Sequence, residues 1–252
     1  LADILAHANN TNPAATGNPT ATDNCDLEMD FDFSDSMALG SCPQERVITR
    51  TWTATDDCDN NSSCEQVVTV VDDETPAITC PADTTVNCED DRSSSATGAA
   101  TATDNCDNEI DIVESDSVAA GSCPQEEVIT RTWTATDDCG NNSSCDQIVT
   151  VVDDESPAIS CPADTTVNCE GDRSSTATGA ATATDNCDND VTITENDSVA
   201  SGSCPQEEVI TRTWTATDDC GNNSSCDQVV TVIDDEAPAI SCPADTTVNC
   251  ED

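Results

Sequence analysis

The sequence predicts an all-β chain of tandem β-sandwich domains with an 81-residue period. Three observations carry that reading. The nonamer CPADTTVNC occurs at Cys80–Cys88, Cys161–Cys169 and Cys242–Cys250, each copy 81 residues after the last. Trp52, Trp133 and Trp214 keep the same step, as do Pro76, Pro157 and Pro238. Helix-period patterning is absent, and short runs rich in Thr and Val alternate polar with apolar residues. A repeat of this length can bury a core of its own.

The period divides the chain. Residues 1–75 form a divergent first repeat without the nonamer, 76–156 a second repeat and 157–237 a third. Residues 238–252 are a spare copy of the strand that opens a repeat. Within the second repeat, VITRTWTATD (128–137) reads as a strand with Ile129, Arg131, Trp133 and Ala135 on one face and threonines on the other. The Gly/Asn/Ser loop DCGNNSSC follows, then the strand DQIVTVVDD, which completes a hairpin. ATGAATATD, EIDIVE and residues 80–88 read as further strands. In the first repeat, 26–33 alternates strictly, which predicts Leu27, Met29, Phe31 and Phe33 facing a core. Arg50, Arg131 and Arg212 recur on the tryptophan face, where each is expected to lay its stem on the core and pair with a carboxylate.

Charge and cysteine content narrow the function. Fifty-two acidic residues face six arginines and no lysine, for a net charge of −46. Phosphate binding needs a basic face, so nucleic acid is excluded as a partner, and an anionic membrane surface repels the chain. No apolar run is long enough to span a bilayer, so no membrane insertion is expected. Each full repeat carries six of the 18 cysteines, while His7 is the only histidine, which argues against zinc and for disulfides. That places the chain outside the cell or on its surface. The opening residue is Leu1, and no signal peptide is present, so a processed or excerpted product is expected.

TATDNC at 101–106, ITRTWTATDDCGNNSSC at 129–145 and VTVVDDESPAISCPAD at 149–164 resemble the hyalin-repeat (HYR) family of immunoglobulin-like domains. The likeness is greatest to the tandem cysteine-rich repeats of giant Bacteroidetes cell-surface adhesins, including gliding adhesins, and spans all but about the first thirteen residues. It implies an Ig-like fold, export across the envelope and a role in surface fibres or adhesion. It implies no catalytic residues.

Six cysteines allow fifteen pairings. Cys139 and Cys145 flank the hairpin loop and are expected to pair, as are Cys58 with Cys64 and Cys220 with Cys226. A straight strand between Cys80 and Cys88 spans roughly 25 Å, too far for a disulfide. An Ig-like strand order favours Cys80–Cys106 and Cys88–Cys123, with Cys161–Cys187 and Cys169–Cys204 in the third repeat. The rival arrangement closes Cys80–Cys88 as a bent loop with Cys106–Cys123 beside it.

The first repeat lacks the nonamer that the tail 238–252 supplies, and Leu1–Asn10 stands in its place. Two explanations are open. The tail starts a further repeat of a longer array, or it adds a strand to the first repeat of a second copy. The second gives a head-to-tail filament. On the favoured pairing Cys242 then reaches Cys25 of a neighbour, and Cys250 reaches Cys42.

An Ig-like order also gathers carboxylates at the junctions between repeats: Asp72, Asp73, Glu74, Asp104, Asp107, Asp137 and Asp138 at one, and Asp153, Asp154, Glu155, Asp185, Asp188, Asp218 and Asp219 at the next. Calcium takes six to eight oxygen ligands, so calcium at domain junctions is a candidate, although no cofactor is required. The competing reading is a solvated acidic surface. No nucleophile–base pair or phosphate loop is recognisable, and the chain is not expected to be an enzyme. The expected function is a structural subunit or stalk segment of an extracellular adhesion fibre that partners with itself. The alternative is a module whose TxT stretches present hydroxyls to a surface glycan, a mineral or ice.

Overall fold

The computed structural model describes residues 11–25 and 27–248. The first repeat holds β1 (Asp30–Leu39), β2 (Arg46–Thr55) and β3 (Asn61–Val70). The second holds β4 (Ala77–Thr79), β5 (Thr84–Asn87), β6 (Thr101–Thr103), β7 (Asp111–Ala120), β8 (Glu127–Thr136) and β9 (Asn142–Val152). The third repeats the series as β10 (Ala158–Ser160), β11 (Thr165–Asn168), β12 (Thr182–Thr184), β13 (Thr192–Ser201), β14 (Glu208–Thr217) and β15 (Asn223–Ile233). The chain is all-β, as the alternating patterns predict. No helix among the described residues is long and apolar enough to cross a membrane.

Each full repeat is a sandwich of unequal layers. In the third, a four-stranded sheet runs β11-β15-β14-β13, and a two-stranded sheet pairs β10 with β12. β11 joins β15 in parallel and the other pairings are antiparallel. β10 lies against β14 and β15. The second repeat has the same order, β5-β9-β8-β7 with β4-β6. Among the described residues the first has β1-β2-β3.

The tryptophan strand organises the core as its alternation requires. On β8, Ile129, Arg131, Trp133 and Ala135 are buried; on β14, Ile210, Arg212, Trp214 and Ala216 are buried. Val149 and Val151, and Val230 and Val232, close the same face from the neighbouring strand. Each arginine there is fully engaged. Arg131 donates Nε and Nη2 to the two oxygens of Asp116 at 2.8 Å, Nη1 to Thr97 Oγ1 and Nη2 to the Arg92 carbonyl. Arg212 binds Asp197 in the same way, and Arg50 binds Asp35. A guanidinium in an apolar face persists only with such a bidentate partner.

The first repeat departs from expectation. Its edge strand is Asp30–Leu39 and stays exposed throughout. Leu27 is 97% exposed and the two phenylalanines 43%, so the predicted inward face at 26–33 does not close a core. Phe33 rests on Trp52 at 5.2 Å between ring centroids and under the Arg50 guanidinium. Among the described residues no strand pair equivalent to β4-β6 covers this face, although Pro19–Thr22, which include the counterpart of β6, line a pocket with Phe31 and Trp52.

Two compact units emerge. One comprises the described residues up to Val86 with Asp90–Ala119 and Glu127–Val151; the other comprises Asn87–Glu89, Ala120–Glu126 and the chain from Val152 on. Short pieces of the second repeat thus belong with the third, and each piece contains one cysteine, Cys88 or Cys123.

Candidate functional site

The cysteines follow a rule that the sequence reading missed. Cys80 pairs with Cys145 and Cys161 with Cys226, inside a repeat and 65 residues apart. Cys42–Cys139 and Cys123–Cys220 join one repeat to the next over 97 residues, and Cys88–Cys187 does so over 99. Their Cα separations run from 5.0 to 6.0 Å, within disulfide range. Cys25, Cys58, Cys64, Cys106, Cys169, Cys204 and Cys242 are unpaired. Cys250 lies outside the described residues, as does Leu1–Asn10.

Strand register explains each correction. In the hairpin Thr136 faces Asn142 and Trp133 faces Cys145. Cys139 therefore caps the loop while Cys145 sits three residues down the strand, about 10 Å away at 3.3 Å per residue. The pairs Cys139–Cys145, Cys58–Cys64 and Cys220–Cys226 do not form for this reason. Antiparallel β4 and β6 match Ala77 with Thr103 and Thr79 with Thr101. Cys80 and Cys106 therefore leave this ladder at opposite ends, and the expected Cys80–Cys106 is replaced by Cys80–Cys145; Cys161–Cys187 fails in the same way. Cys88 follows β5 at one sheet edge and Cys123 follows β7 at the other, with β9 and β8 between. That is about three strand spacings of 4.8 Å, so Cys88–Cys123 does not form. Its counterpart Cys169–Cys204 is likewise absent. The rival pairs Cys80–Cys88 and Cys106–Cys123 do not form either. Cys42, expected to reach a second copy, is held by Cys139.

The predicted acidic junctions are partly assembled. Carboxylate oxygens of Asp72, Asp104 and Asp137 converge to within 4.8 Å of one another, and Asp153, Asp185 and Asp218 do the same. Backbone turns aim them. Asp104 Oδ1 accepts N–H groups of Cys106 and Asp107, and Asp137 Oδ1 accepts those of Cys139 and Asn141. Asn141 also donates to the Asp72 carbonyl, tying the linker to the hairpin loop. Asp72 is 7% exposed and Asp153 4%, and neither oxygen of either carboxylate makes a hydrogen bond. At an effective dielectric near 20, two unit charges at this separation repel by about 3.5 kcal/mol. Burial first, and then the charges of Asp104 and Asp137, push the Asp72 carboxyl above its usual range, partly offset by the nearby Glu74 N–H. Asp153 is raised by burial and by Asp185 and Asp218.

Other predicted ligands do not join these triads. Asp107 is buried, but its oxygens accept the Glu109 and Asp138 N–H groups, and Asp188 serves Asp190 and Asp219 in the same way. Asp73, Glu74, Asp138, Asp154, Glu155 and Asp219 have exposed side chains. Cys88, Asp153 and Cys187 also converge, but the two sulfurs are joined to each other.

The comparisons place these features in a family. The HYR-like domain with 4 cysteines matches residues 76–151 and 157–232. No curated protein matches the chain. Among solved structures the chain is similar to Drosophila N-cadherin EC1-4, with 13% identity over 83% of this chain and 68% of that one and a TM-score of 0.33. It is also similar to mouse cadherin-23 EC22-24, with 18% identity over 75% of each chain and a TM-score of 0.32.

Proposed function

The chain belongs to the HYR-like domains with 4 cysteines, and from that premise we propose that it is a structural segment of an extracellular adhesion fibre whose copies join head to tail by strand donation. Likeness to the surface adhesins of Bacteroidetes is part of this reading. One observation carries it: the disulfide spacings, continued at the 81-residue period, leave partners for the remaining cysteines that a second copy, like a further repeat, would supply. Three repeats are 243 residues. Counted into a following copy, Cys64 lies 65 residues after Cys242, Cys58 lies 97 after Cys204, and Cys25 lies 99 after Cys169. These are the spacings of Cys80–Cys145, Cys42–Cys139 and Cys88–Cys187. By the same count Cys106 answers Cys250. On this count each of the eight remaining cysteines has a counterpart, and a donated tail would join Cys64 and Cys106 rather than Cys25 and Cys42.

The open first repeat supports the same joint. Gly98 takes φ +104°, and a Cβ there would strike Pro81; at the equivalent Gly17 none of the described residues lies within 4 Å. Gln147 donates to the carbonyls of Ala82 and Thr97, and among the described residues Gln66 donates to that of Thr16, the counterpart of Thr97. Pro243 and Ala244 of a donated strand are the counterparts of Pro81 and Ala82. Residues 238–248 are exposed, with no strand pairing of their own. In the alternative of a hydroxyl array for a glycan, mineral or ice surface, Thr132 and Thr213 are already engaged, since they donate to Asp146 and Asp227.

Each joint disulfide forms as two thiols pass two electrons and two protons to a disulfide oxidant. The test mixes isotopically light and heavy copies of the chain, fully reduced, and reoxidises them with glutathione disulfide. The reading expects a ladder on a non-reducing gel and mixed-isotope peptides linking Cys242 to Cys64, Cys204 to Cys58 and Cys169 to Cys25. A monomer whose thiols at these six positions all alkylate overturns it.

A further inference from the structure

We propose that Asp72, Asp104 and Asp137 bind one hard divalent cation of calcium's class, and that Asp153, Asp185 and Asp218 bind a second. The clusters alone would not carry this, since acidic residues are everywhere in the chain. The unpartnered carboxylates do. Asp72 and Asp153 are more than nine-tenths buried, and neither oxygen of either completes a hydrogen bond, although the Glu74 and Glu155 N–H groups lie near them. Buried carboxylates stay ionised only when paired, hydrogen-bonded or metal-bound, and otherwise take up a proton. Among the described residues the only arginine ion pairs are those with Asp35, Glu127, Asp116, Glu208, Glu195 and Asp197, none in a triad. Asp185 and Asp218 each also present one buried oxygen without a donor. Two of the three carboxylates in each triad are fixed by backbone N–H groups on one oxygen, as in Asp104 and Asp185, which keeps the set pre-organised.

The donor set selects the ion. All donors are carboxylate oxygens, without histidine or thiolate, which suits calcium or magnesium and not zinc. Three negative charges balance a divalent ion and leave one in excess. The site ties three segments of a repeat boundary together: the linker through Asp72, the strand end after β6 through Asp104, and the hairpin loop through Asp137.

The experiment uses the full chain, dialysed against chelator and then titrated with calcium chloride by calorimetry and thermal melting. Calcium is expected to bind and to raise the melting temperature. D72N and D153N, which keep side-chain shape, should each remove one equivalent, and the double variant should lose the calcium-induced shift. Because each substitution relieves repulsion, each variant should melt higher than the wild type in chelator, which a misfolded variant would not. A melting temperature that calcium leaves unmoved overturns the proposal. So does a double variant that binds as many ions as the wild type.

Discussion

The Cα atoms of Cys88 and Cys187 lie 6.0 Å apart although 99 residues separate them. Cys88 ends the edge strand of one repeat, and Cys187 follows the TATD strand of the next, so the bond spans a repeat boundary. In the chain-entropy model, closing a loop of that length stabilises by about 4–5 kcal/mol. Cys187→Ser should therefore lower unfolding stability by several kcal/mol in denaturant titration. It should also release one new thiol, at Cys88, on alkylation of the native protein. Release of a different cysteine would contradict the pairing.

A second prediction concerns the buried guanidinium. Arg131 is 3% exposed, whereas Asp116 keeps 37% of its side chain in water. Asp116→Asn leaves a buried cation without a charged partner. The cost should be about 2–3 kcal/mol, less than for a fully buried pair because water still reaches the site. Arg131→Met, which keeps the stem over the core, should cost less than Arg131→Ala. Chemical denaturation of the three variants orders them; equal losses would mean that the stem contributes nothing.

The tryptophan-face strand was legible because burial follows its period of two, and the arginine pairing followed from chemistry alone. The alternation at 26–33 was misread because alternation names two faces but cannot say whether a second layer covers either. Disulfides were misread for two reasons. Local proximity in sequence drew Cys139 to Cys145, when the register that sets Trp133 beside Cys145 already separates them. Pairing was also sought inside one repeat, whereas three of the five bonds among the described residues cross between repeats. The acidic junctions were legible as a group, but only folded turns distinguish Asp104, which faces the triad, from Asp107, which serves backbone N–H groups.

A third prediction is the pH profile. Asp72 and Asp153 titrate above the usual carboxylate range, with Asp104, Asp137, Asp107 and Cys106 around the first, and Asp185, Asp218 and Asp188 around the second. Between the unfolded value near 3.9 and the raised folded value, the native state binds more protons, so stability rises as pH falls. Asp35, Asp116 and Asp197 are held low by hydrogen bonds from Arg50, Arg131 and Arg212. Their contribution is complete above about pH 3.9 and is lost as pH falls through their lowered values. In chelator, melting temperature should pass through a maximum on acidification, then drop. Repulsion across the whole acidic chain adds to the first limb, so the comparison is with the D72N/D153N variant, whose limb should be shallower. Identical limbs would show that the triads do not titrate as described.

The last prediction joins the two proposals at the copy boundary. Asp234 stands two repeats after Asp72, while Asp23 and Asp56 stand one repeat before Asp104 and Asp137. Asp23 already accepts the Cys25 N–H, and Asp56 the Cys58 N–H, the turns that aim Asp104 and Asp137 in the second repeat. On the proposed joint, a donated tail would bring Asp234 to Asp23 and Asp56 and complete a third triad, beside the proposed Cys204–Cys58 and Cys169–Cys25 bonds. A cation there would hold the ends together while the sulfurs exchange. Reductant should then dismantle the polymer faster in chelator than in calcium, by about tenfold if the site contributes about 1.4 kcal/mol to the closed joint. Asp234→Asn should remove the difference while leaving calcium binding at the two internal triads intact. Equal rates in calcium and chelator would separate the joint from the metal.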